Sequence, residues 1–422
     1  MNKPRLMLGC FIALLFASQI DNVSRAKNPQ QHVLFNDVTF AEADAVLVSK
    51  VTSHGLDQVY AWQSEKTLVP ASLNKLLMTY LALDKWGADH RFKTDFFIEQ
   101  TKDSKILWVK GYGDPFLTSE ELNRVVKNLQ PLPQGVDTIA IDNSWFDINK
   151  VPGRTQVRDP YNAPLSAVSA NFNTVFLEKE NGRIRSAESQ TPLTPTALKI
   201  GKGLTKNRER LNLIDADIAQ RYFAELLLRK LAMPELDILI NKEVSSSAKR
   251  LYTHINSNTL ADNLRATLKY SNNFIANQIF LNLAQSSDAT NIATQSQKLT
   301  FSKAQQSADR VLTKMFSWSN FVMLDGAGLS HANRLSATQL QQVLLALSEH
   351  KDLLNRIDLK KNGVEVYAKT GTLDGVRSYA GYIQVSNAGV ADNYIFVFMF
   401  NRTVPFRYRD SMLEKLVNEL SQ

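Results

Sequence analysis

Three short segments that lie far apart in the chain contain the residue types that acyl transfer to serine requires. They read S-x-x-K at 72–75, S-x-N at 271–273 and K-T-G-T at 369–372. A serine hydroxyl is a poor nucleophile until a base removes its proton, and a lysine can be that base when burial and neighbouring cations lower its pKa. The three segments therefore indicate an enzyme that forms a covalent intermediate on serine.

The spacing within the first segment predicts that two side chains meet. Residues three apart lie on one face of a helix, so Lys75 is expected beside the hydroxyl of Ser72, where it can act as the base. Ser72 would lie in the first turn of that helix, where free backbone N–H groups favour negative charge. We expect Lys369 to supply the neighbouring cation that lowers the pKa of Lys75.

The K-T-G-T segment is expected to bind an extended substrate. It follows a strand-like stretch, and Gly371 allows another backbone to approach closely, so a peptide can pair with it as an added strand. The backbone N–H groups of Ser72 and Thr372 are then candidates for an oxyanion hole.

Each motif also has an interpretation without chemistry. S-x-x-K occurs four times in the chain and S-x-N three times, whereas K-T-G-T occurs once. Ser271 can be a polar residue on an amphipathic helix, and K-T-G-T can be an ordinary turn. Ser72 is distinguished by its context, because two strand-like stretches precede it and an apolar helix follows. The order of the three motifs, more than any one of them, favours the enzyme.

Composition limits the other kinds of chemistry. The chain has 422 residues, of which 44% are hydrophobic and 21% charged, and this predicts a globular protein of two or three domains. Its single cysteine is Cys10, and the six histidines are scattered without an H-E-x-x-H segment. We therefore expect no thiol nucleophile, no metal and no other cofactor.

The N-terminus has the pattern of a secretory signal. Lys3 and Arg5 precede an apolar run over 6–17, and small residues suitable for cleavage follow at 24–26. This pattern predicts a signal peptide over 1–26 and a periplasmic protein. An uncleaved membrane anchor is the alternative, and a lipoprotein cleavage box at Cys10 fits poorly because little apolar sequence precedes it.

The charge of the chain bears on its partners. The formal net charge is +8, which favours peripheral association with the anionic surface of the cell envelope. No nucleic-acid-binding motif occurs, and a secretory signal argues against such a partner, so we expect no binding to nucleic acid.

Hydrophobic periodicity predicts an α/β (α+β) fold. Strands are expected near both ends of the chain, at 45–51 and 57–63 and again at 364–370, 376–385 and 393–401. Helices are expected between them. We therefore predict a sheet that joins the two ends of the chain and is flanked by helices.

The middle of the chain is expected to form an insertion. We predict a discontinuous catalytic domain made of 27–83 and 246–422, interrupted by a mixed α/β domain over 84–245. One long amphipathic helix is predicted over 259–283.

The motif set resembles that of the class C, low-molecular-mass penicillin-binding proteins, which are the D-alanyl-D-alanine carboxypeptidases and endopeptidases of peptidase family S13. The long separation of Ser72 and Ser271 fits the large insertion that this family carries after S-x-x-K. The implied fold is a penicillin-binding, β-lactamase-like domain with an antiparallel sheet flanked by helices and a mixed α/β insertion. Four further segments resemble the family: G-D-P at 113–115, I-D-N-S at 141–144, A-P-L-S-A at 163–167 and D-G-A-G-L-S at 325–330.

The resemblance implies a role for each catalytic position. Ser72 is expected to be the acylated nucleophile and Lys75 its base. Ser271 would pass a proton toward the leaving amine, and Asn273 would hydrogen-bond the substrate amide. Lys369 would supply positive charge.

The substrate-binding residues follow from the same resemblance. Thr370, Gly371 and Thr372 are expected to contact the terminal carboxylate or the backbone of the substrate. His331 stands where the family often has arginine, and a protonated histidine can take over recognition of a carboxylate; a loop histidine without a role is the alternative. Asp159 is a further candidate for substrate binding.

The implied activity is that of a serine-type D-Ala-D-Ala carboxypeptidase and DD-endopeptidase that acts on peptidoglycan stem peptides. Penicillins and other β-lactams are expected to acylate Ser72 and to leave slowly. A β-lactamase is one alternative, although the chain lacks the E-x-x-L-N segment that would activate the deacylating water. A catalytically weak module that binds penicillin or peptidoglycan is the other.

Overall fold

The computed structural model of the chain describes residues 34–286, 298–387 and 390–422. The signal peptide expected over 1–26 lies outside the described residues, as does Cys10. Within the described part of the chain, no helix is both long enough and apolar enough to cross a membrane.

The described residues form fourteen strands, nine helices and four short 3-10 turns. The strands are β1 (Asp44–Thr52), β2 (Gly55–Trp62), β3 (Lys93–Gln100), β4 (Lys105–Gly111), β5 (Thr138–Asp142), β6 (Thr174–Glu180), β7 (Arg183–Ser186), β8 (Arg208–Asn212), β9 (Asp237–Lys242), β10 (Lys249–Ile255), β11 (Asn355–Ile357), β12 (Val364–Leu373), β13 (Val376–Asn387) and β14 (Val390–Phe400). The helices are α1 (Asn74–Trp86), α2 (Ser119–Leu129), α3 (Pro195–Gly201), α4 (Ala216–Lys230), α5 (Leu260–Tyr270), α6 (Asn273–Asn282), α7 (Phe301–Phe316), α8 (Ala337–Ala346) and α9 (Tyr408–Leu420). The 3-10 turns are Ala71–Leu73, Pro160–Asn162, Asn171–Asn173 and Ser348–Leu353.

The largest sheet joins the two ends of the chain, as the sequence predicts. Its six antiparallel strands follow the order β11-β12-β13-β14-β1-β2. β1 pairs with β14, and Ala45 lies opposite Met399. β14 is buried from Tyr394 to Phe400, because other elements cover both of its faces. This burial explains why the strand reads as a continuous apolar run instead of alternating. The expected antiparallel sheet flanked by helices is confirmed.

Two smaller sheets form in the middle of the chain. One has five strands in the order β10-β3-β4-β5-β9, and the other has three in the order β7-β6-β8. β10, which we predicted to belong to the catalytic domain, pairs with β3. The division of the chain into domains stays a prediction.

The prediction of one helix over 259–283 is wrong, because the helix is interrupted at Ser271. That residue adopts a left-handed conformation (φ 51°, ψ 37°) and ends α5. The side chain of Asn272 then accepts a hydrogen bond from the backbone N–H of Ile275 and caps α6. The apolar pattern continues across the break, so periodicity alone does not reveal it.

The helix that follows Ser72 lies in the centre of the catalytic part. α1 is buried over most of its first two turns, and its buried residues include Lys75. Leu77 and Leu81 belong to one hydrophobic core with Leu264 of α5 and Leu340 of α8. A lysine on such a helix is removed from water by the packing that holds the helix in place.

Candidate active site

Ser72 and Lys75 lie side by side where a 3-10 turn leads into α1: Ser72 belongs to the turn Ala71–Leu73, just before the helix in whose first turn it was expected, and Lys75 lies in the first turn of α1. The Nζ atom of Lys75 is 3.1 Å from the Oγ atom of Ser72. Ser72 is partly exposed, whereas Lys75 is completely buried. The residue before the serine, Ala71, has a positive φ of 51°, a strained conformation of the kind that clusters at functional sites. The serine is therefore accessible while the amine next to it is not.

The amine of Lys75 has polar neighbours but no counter-ion within residues 34–286, 298–387 and 390–422. It donates to Asn273 Oδ1 at 2.7 Å and to the backbone oxygen of Ala327 at 2.8 Å. None of the ion pairs among the described residues includes Lys75. Burial holds the pKa of Lys75 well below its usual value, and the charge of Lys369 lowers it further; Asp325 opposes both effects. A lysine in this environment gives up its proton readily and can then accept one.

The D-G-A-G-L-S segment holds the carbonyl group that faces Lys75. The buried carboxylate of Asp325 accepts four backbone N–H groups and one side-chain amide, and this fixes the turn. Ala327 therefore contributes through its backbone oxygen, for which the type of side chain is immaterial. The five donors are the N–H groups of Ala327, Gly328, Leu329 and Ser330 and the side chain of Asn333.

Lys369 lies on β12 and is joined to Ser271. Its Nζ atom is 3.0 Å from Ser271 Oγ and 2.7 Å from the backbone oxygen of Thr370. Burial lowers the pKa of Lys369 to about 7, with a smaller contribution from the charge of Arg409. The left-handed conformation of Ser271 interrupts the helix where its hydroxyl meets this ammonium group.

Two glycines allow the segments of the site to approach closely. A Cβ atom on Gly371 would lie 2.2 Å from Ser378 Oγ and 2.8 Å from the backbone oxygen of Pro70. A Cβ atom on Gly328, whose φ is +78°, would lie 1.9 Å from the backbone oxygen of Ala71. Any larger residue would push β12 or the Asp325 turn away from Ser72.

The K-T-G-T part of β12 has an open edge. β11 pairs with β12 only as far as Ala368, so residues 369–373 have a strand partner on the β13 side alone. Thr370 is partly exposed and Thr372 is exposed. An open strand edge beside a nucleophile can bind an extended peptide by adding it as another strand.

The structure does not bring the side chains of Asp159 and His331 into contact with this cluster. The carboxylate of Asp159 accepts hydrogen bonds from the backbone and side chain of Asn162. His331 is exposed, and among the described residues no side-chain hydrogen bond of His331 occurs. Instead, the Asp159 loop reaches the site through Tyr161, whose backbone oxygen accepts from Asn273 Nδ2 at 3.1 Å.

Sequence reasoning missed Arg409. This residue of α9 donates from Nη1 to the backbone oxygen of Gly371 at 2.7 Å and to Thr372 Oγ1 at 2.8 Å. In the sequence it is one of several charged residues near the C-terminus, with no motif around it. Its burial against β12, which only the fold reveals, is the feature that distinguishes it.

Comparison with known proteins identifies the family. The model of the D-Ala-D-Ala carboxypeptidase 3 (S13) family matches residues 39–208 and 200–359. The chain belongs to this family. The matched residues include the S-x-x-K and S-x-N segments, while K-T-G-T lies after them. The resemblance stated from the motifs is thus confirmed for the S13 family.

Individual relatives are more distant. The chain is 28% identical over 147 residues to a D-alanyl-D-alanine carboxypeptidase of Actinomadura sp. (strain R39). That alignment covers 32% of this chain and 26% of the relative, so the chain matches about a quarter of the length of that relative.

Solved structures share the fold. Penicillin binding protein 4 from Haemophilus influenzae superposes with a TM-score of 0.67 at 20% identity, over 90% of this chain and 97% of that one. The same protein in complex with a β-lactam gives a TM-score of 0.64 at 20% identity, over 90% and 96% of the two chains. The penicillin-binding fold class is confirmed.

Proposed function

We propose that this S13 protein is a serine D-alanyl-D-alanine carboxypeptidase with DD-endopeptidase activity that cleaves peptidoglycan stem peptides through an acyl-enzyme at Ser72. The observation that carries the proposal is the pair of Ser72 and Lys75. An accessible hydroxyl lies 3.1 Å from a buried amine that has no counter-ion among the described residues and a lowered pKa. Family membership supports the same chemistry.

In the first step, the neutral amine of Lys75 takes the proton of the Ser72 hydroxyl. The Oγ atom attacks the carbonyl carbon of the penultimate D-alanine, and a tetrahedral oxyanion forms. The backbone N–H groups of Ser72 and Thr372 stabilise that oxyanion. The Asp325 turn supports this step because it holds the Ala327 oxygen on Lys75.

In the second step, the C–N bond breaks and the leaving amine takes a proton. A relay is proposed in which Ser271 delivers to the leaving amine the proton that Lys75 took from Ser72, so that Lys75 becomes neutral again, while Lys369 stabilises the charge; the hydrogen bond between Lys369 and Ser271 supports this relay. Asn273 binds the substrate amide through Nδ2, the atom that donates to the backbone oxygen of Tyr161 in the structure. Water then attacks the acyl carbon while the neutral amine of Lys75 takes one of its protons. The bond between that carbon and Ser72 Oγ breaks, the shortened peptide leaves with a new carboxyl group, and Lys75 returns the proton to Oγ.

β-Lactams are proposed as inhibitors that acylate Ser72 in the same way. The proposed location is the periplasm, which the signal-like sequence over 1–26 supports. The net charge of +8 supports a peripheral association with the anionic envelope surface.

Digestion of purified peptidoglycan fragments, followed by mass spectrometry, tests this function. We expect loss of terminal D-alanine from pentapeptides and splitting of cross-linked dimers, and neither in Ser72→Ala. Intact fragments after incubation with the folded wild type would contradict the proposal. Rapid turnover of nitrocefin without action on the fragments would favour a β-lactamase instead.

A further inference from the structure

A buried arginine behind the K-T-G-T strand has no counter-ion among the residues that the structure describes. Arg409 is only 7% exposed, and among the described residues it forms no ion pair, not even with the adjacent Asp410. Its Nε atom is buried and has no hydrogen-bond partner in the described part of the chain. A charged group is expensive to remove from water unless it is paired. Its position therefore requires an explanation other than stability.

Further cations and rings surround the same strand end. Arg377 lies opposite Thr372 in the β12–β13 pairing. The guanidinium of Arg409 lies 5.8 Å from the ring centre of Tyr379 and 5.7 Å from that of Phe406. With Lys369 on the same strand, positive charge accumulates at the part of β12 whose edge is open. Such an arrangement attracts an anion.

The contact with Thr372 determines what its hydroxyl can do. A threonine hydroxyl has one proton to donate and accepts through its oxygen. The guanidinium of Arg409 donates to that oxygen at 2.8 Å, so the oxygen serves as acceptor and the proton stays available to another partner. Thr372 is exposed on the open edge of the strand, where that partner would be a substrate.

We infer that Arg409 is a positioning residue for recognition of the substrate's leaving residue: it holds Thr372 as a donor toward the free α-carboxylate and adds the charge that this carboxylate meets. This inference rests on the proposed peptidase function and deepens it. It assigns the selectivity for the terminal carboxylate to Arg409, which acts through Thr372. A peptide that ends in free D-alanine is then a better substrate than the same peptide with a terminal amide.

The test compares those two peptides in the wild type and in Arg409→Gln. Removing a hydrogen bond to a charged group typically changes an equilibrium or rate by about 10- to 100-fold. We expect kcat/KM for the free acid to fall by about that factor while kcat/KM for the amide changes little, so that the acid-to-amide ratio collapses. Arg409→Lys, which keeps the charge without the planar fork, is expected to restore part of the ratio.

Two further variants control for folding and for net charge. Arg407→Gln removes an exposed charge two residues away, and its ratio should equal that of the wild type. Thr372→Val keeps the shape of the side chain without the hydroxyl, so it should lower the acid-to-amide ratio of kcat/KM as Arg409→Gln does. This variant keeps the inference testable if the arginine variant unfolds. An unchanged ratio in Arg409→Gln or in Thr372→Val overturns the inference. A wild type that hydrolyses neither peptide would instead overturn the proposed function.

Discussion

Lys75 and Lys369 each contact a serine hydroxyl, Lys75 that of Ser72 from a helix and Lys369 that of Ser271 from a strand, and their surroundings differ. Lys75 is enclosed by the helical core and donates to oxygens of Ser72, Asn273 and Ala327. Lys369 lies on β12 itself, where its buried amine donates to the hydroxyl of Ser271 and to the backbone oxygen of Thr370. The helical surroundings thus favour loss of the proton from Lys75. On the strand, Lys369 has a pKa of about 7 and keeps part of its charge near neutral pH. The difference teaches that two buried lysines can divide the work of base and electrostatic partner.

The largest effect should come from removing the base. Lys75→Met is expected to lower the rate of acylation by a labelled penicillin by about 1,000-fold, because it removes the amine that lies 3.1 Å from Ser72 Oγ and is proposed to take its proton. Lys85 provides a matched control on the same helix, since burial also lowers its pKa, to about 8, and it donates to backbone oxygens away from Ser72. The Lys85→Met variant should be acylated by the penicillin at nearly the wild-type rate. Equal losses in the two variants would show that the helix needs its lysines for structure only.

A smaller effect is expected in the dependence of acylation on pH. Acylation should decline in acid, because Lys75 gains a proton and cannot act as the base. It should also decline as the pH rises through about 7, because Lys369 loses the charge that is proposed to assist the proton relay through Ser271. The expected loss on this alkaline side is about 10-fold.

Lys369→Arg isolates the alkaline side of the profile. An arginine keeps its charge throughout the range, so the decline above pH 7 should disappear while the acid decline remains. If the alkaline decline persists in this variant, the charge of Lys369 does not cause it.

The smallest effect concerns stability. The folded-state pKa of Lys369, about 7, lies below the value of about 10.4 for an exposed lysine, so the unfolded chain binds a proton that the folded protein lacks between these values. The lysine therefore lowers stability progressively as the pH falls from about 10 to about 7. Lys369→Met should raise Tm by about 2–4 °C at pH 7 and by less at pH 10. A gain that grows toward high pH would contradict the assigned direction of the pKa shift.

Some features of the site could be predicted from the sequence and others could not. The spacing of Ser72 and Lys75 depends on one helical turn, and the apolar run of β14 reflects burial on both faces, so both features could be predicted. The break at Ser271 could not, because the apolar pattern continues through it and only the chain's conformation separates the two helices. Arg409 could not be found either, since its importance depends on α9 packing against a strand 37 positions away from it in the chain.

The role of Asp325 could be predicted only in part. The D-G-A-G-L-S segment is noticeable in the sequence, yet its physical role, five hydrogen bonds to one carboxylate that hold the Ala327 oxygen on Lys75, requires the coordinates. Asp159 shows the reverse, because its carboxylate caps its own loop and only the neighbouring Tyr161 backbone reaches the site.

The buried amine of Lys75 is proposed to activate one particular hydroxyl, that of Ser72. Mapping the residue modified by a β-lactam, by proteolysis and mass spectrometry of the full protein, tests it most directly. The adduct is expected on the peptide that contains Ser72, at full occupancy in the wild type and at trace occupancy in Lys75→Met within the same time. An adduct on any other residue, or equal occupancy in the two proteins, would contradict the account.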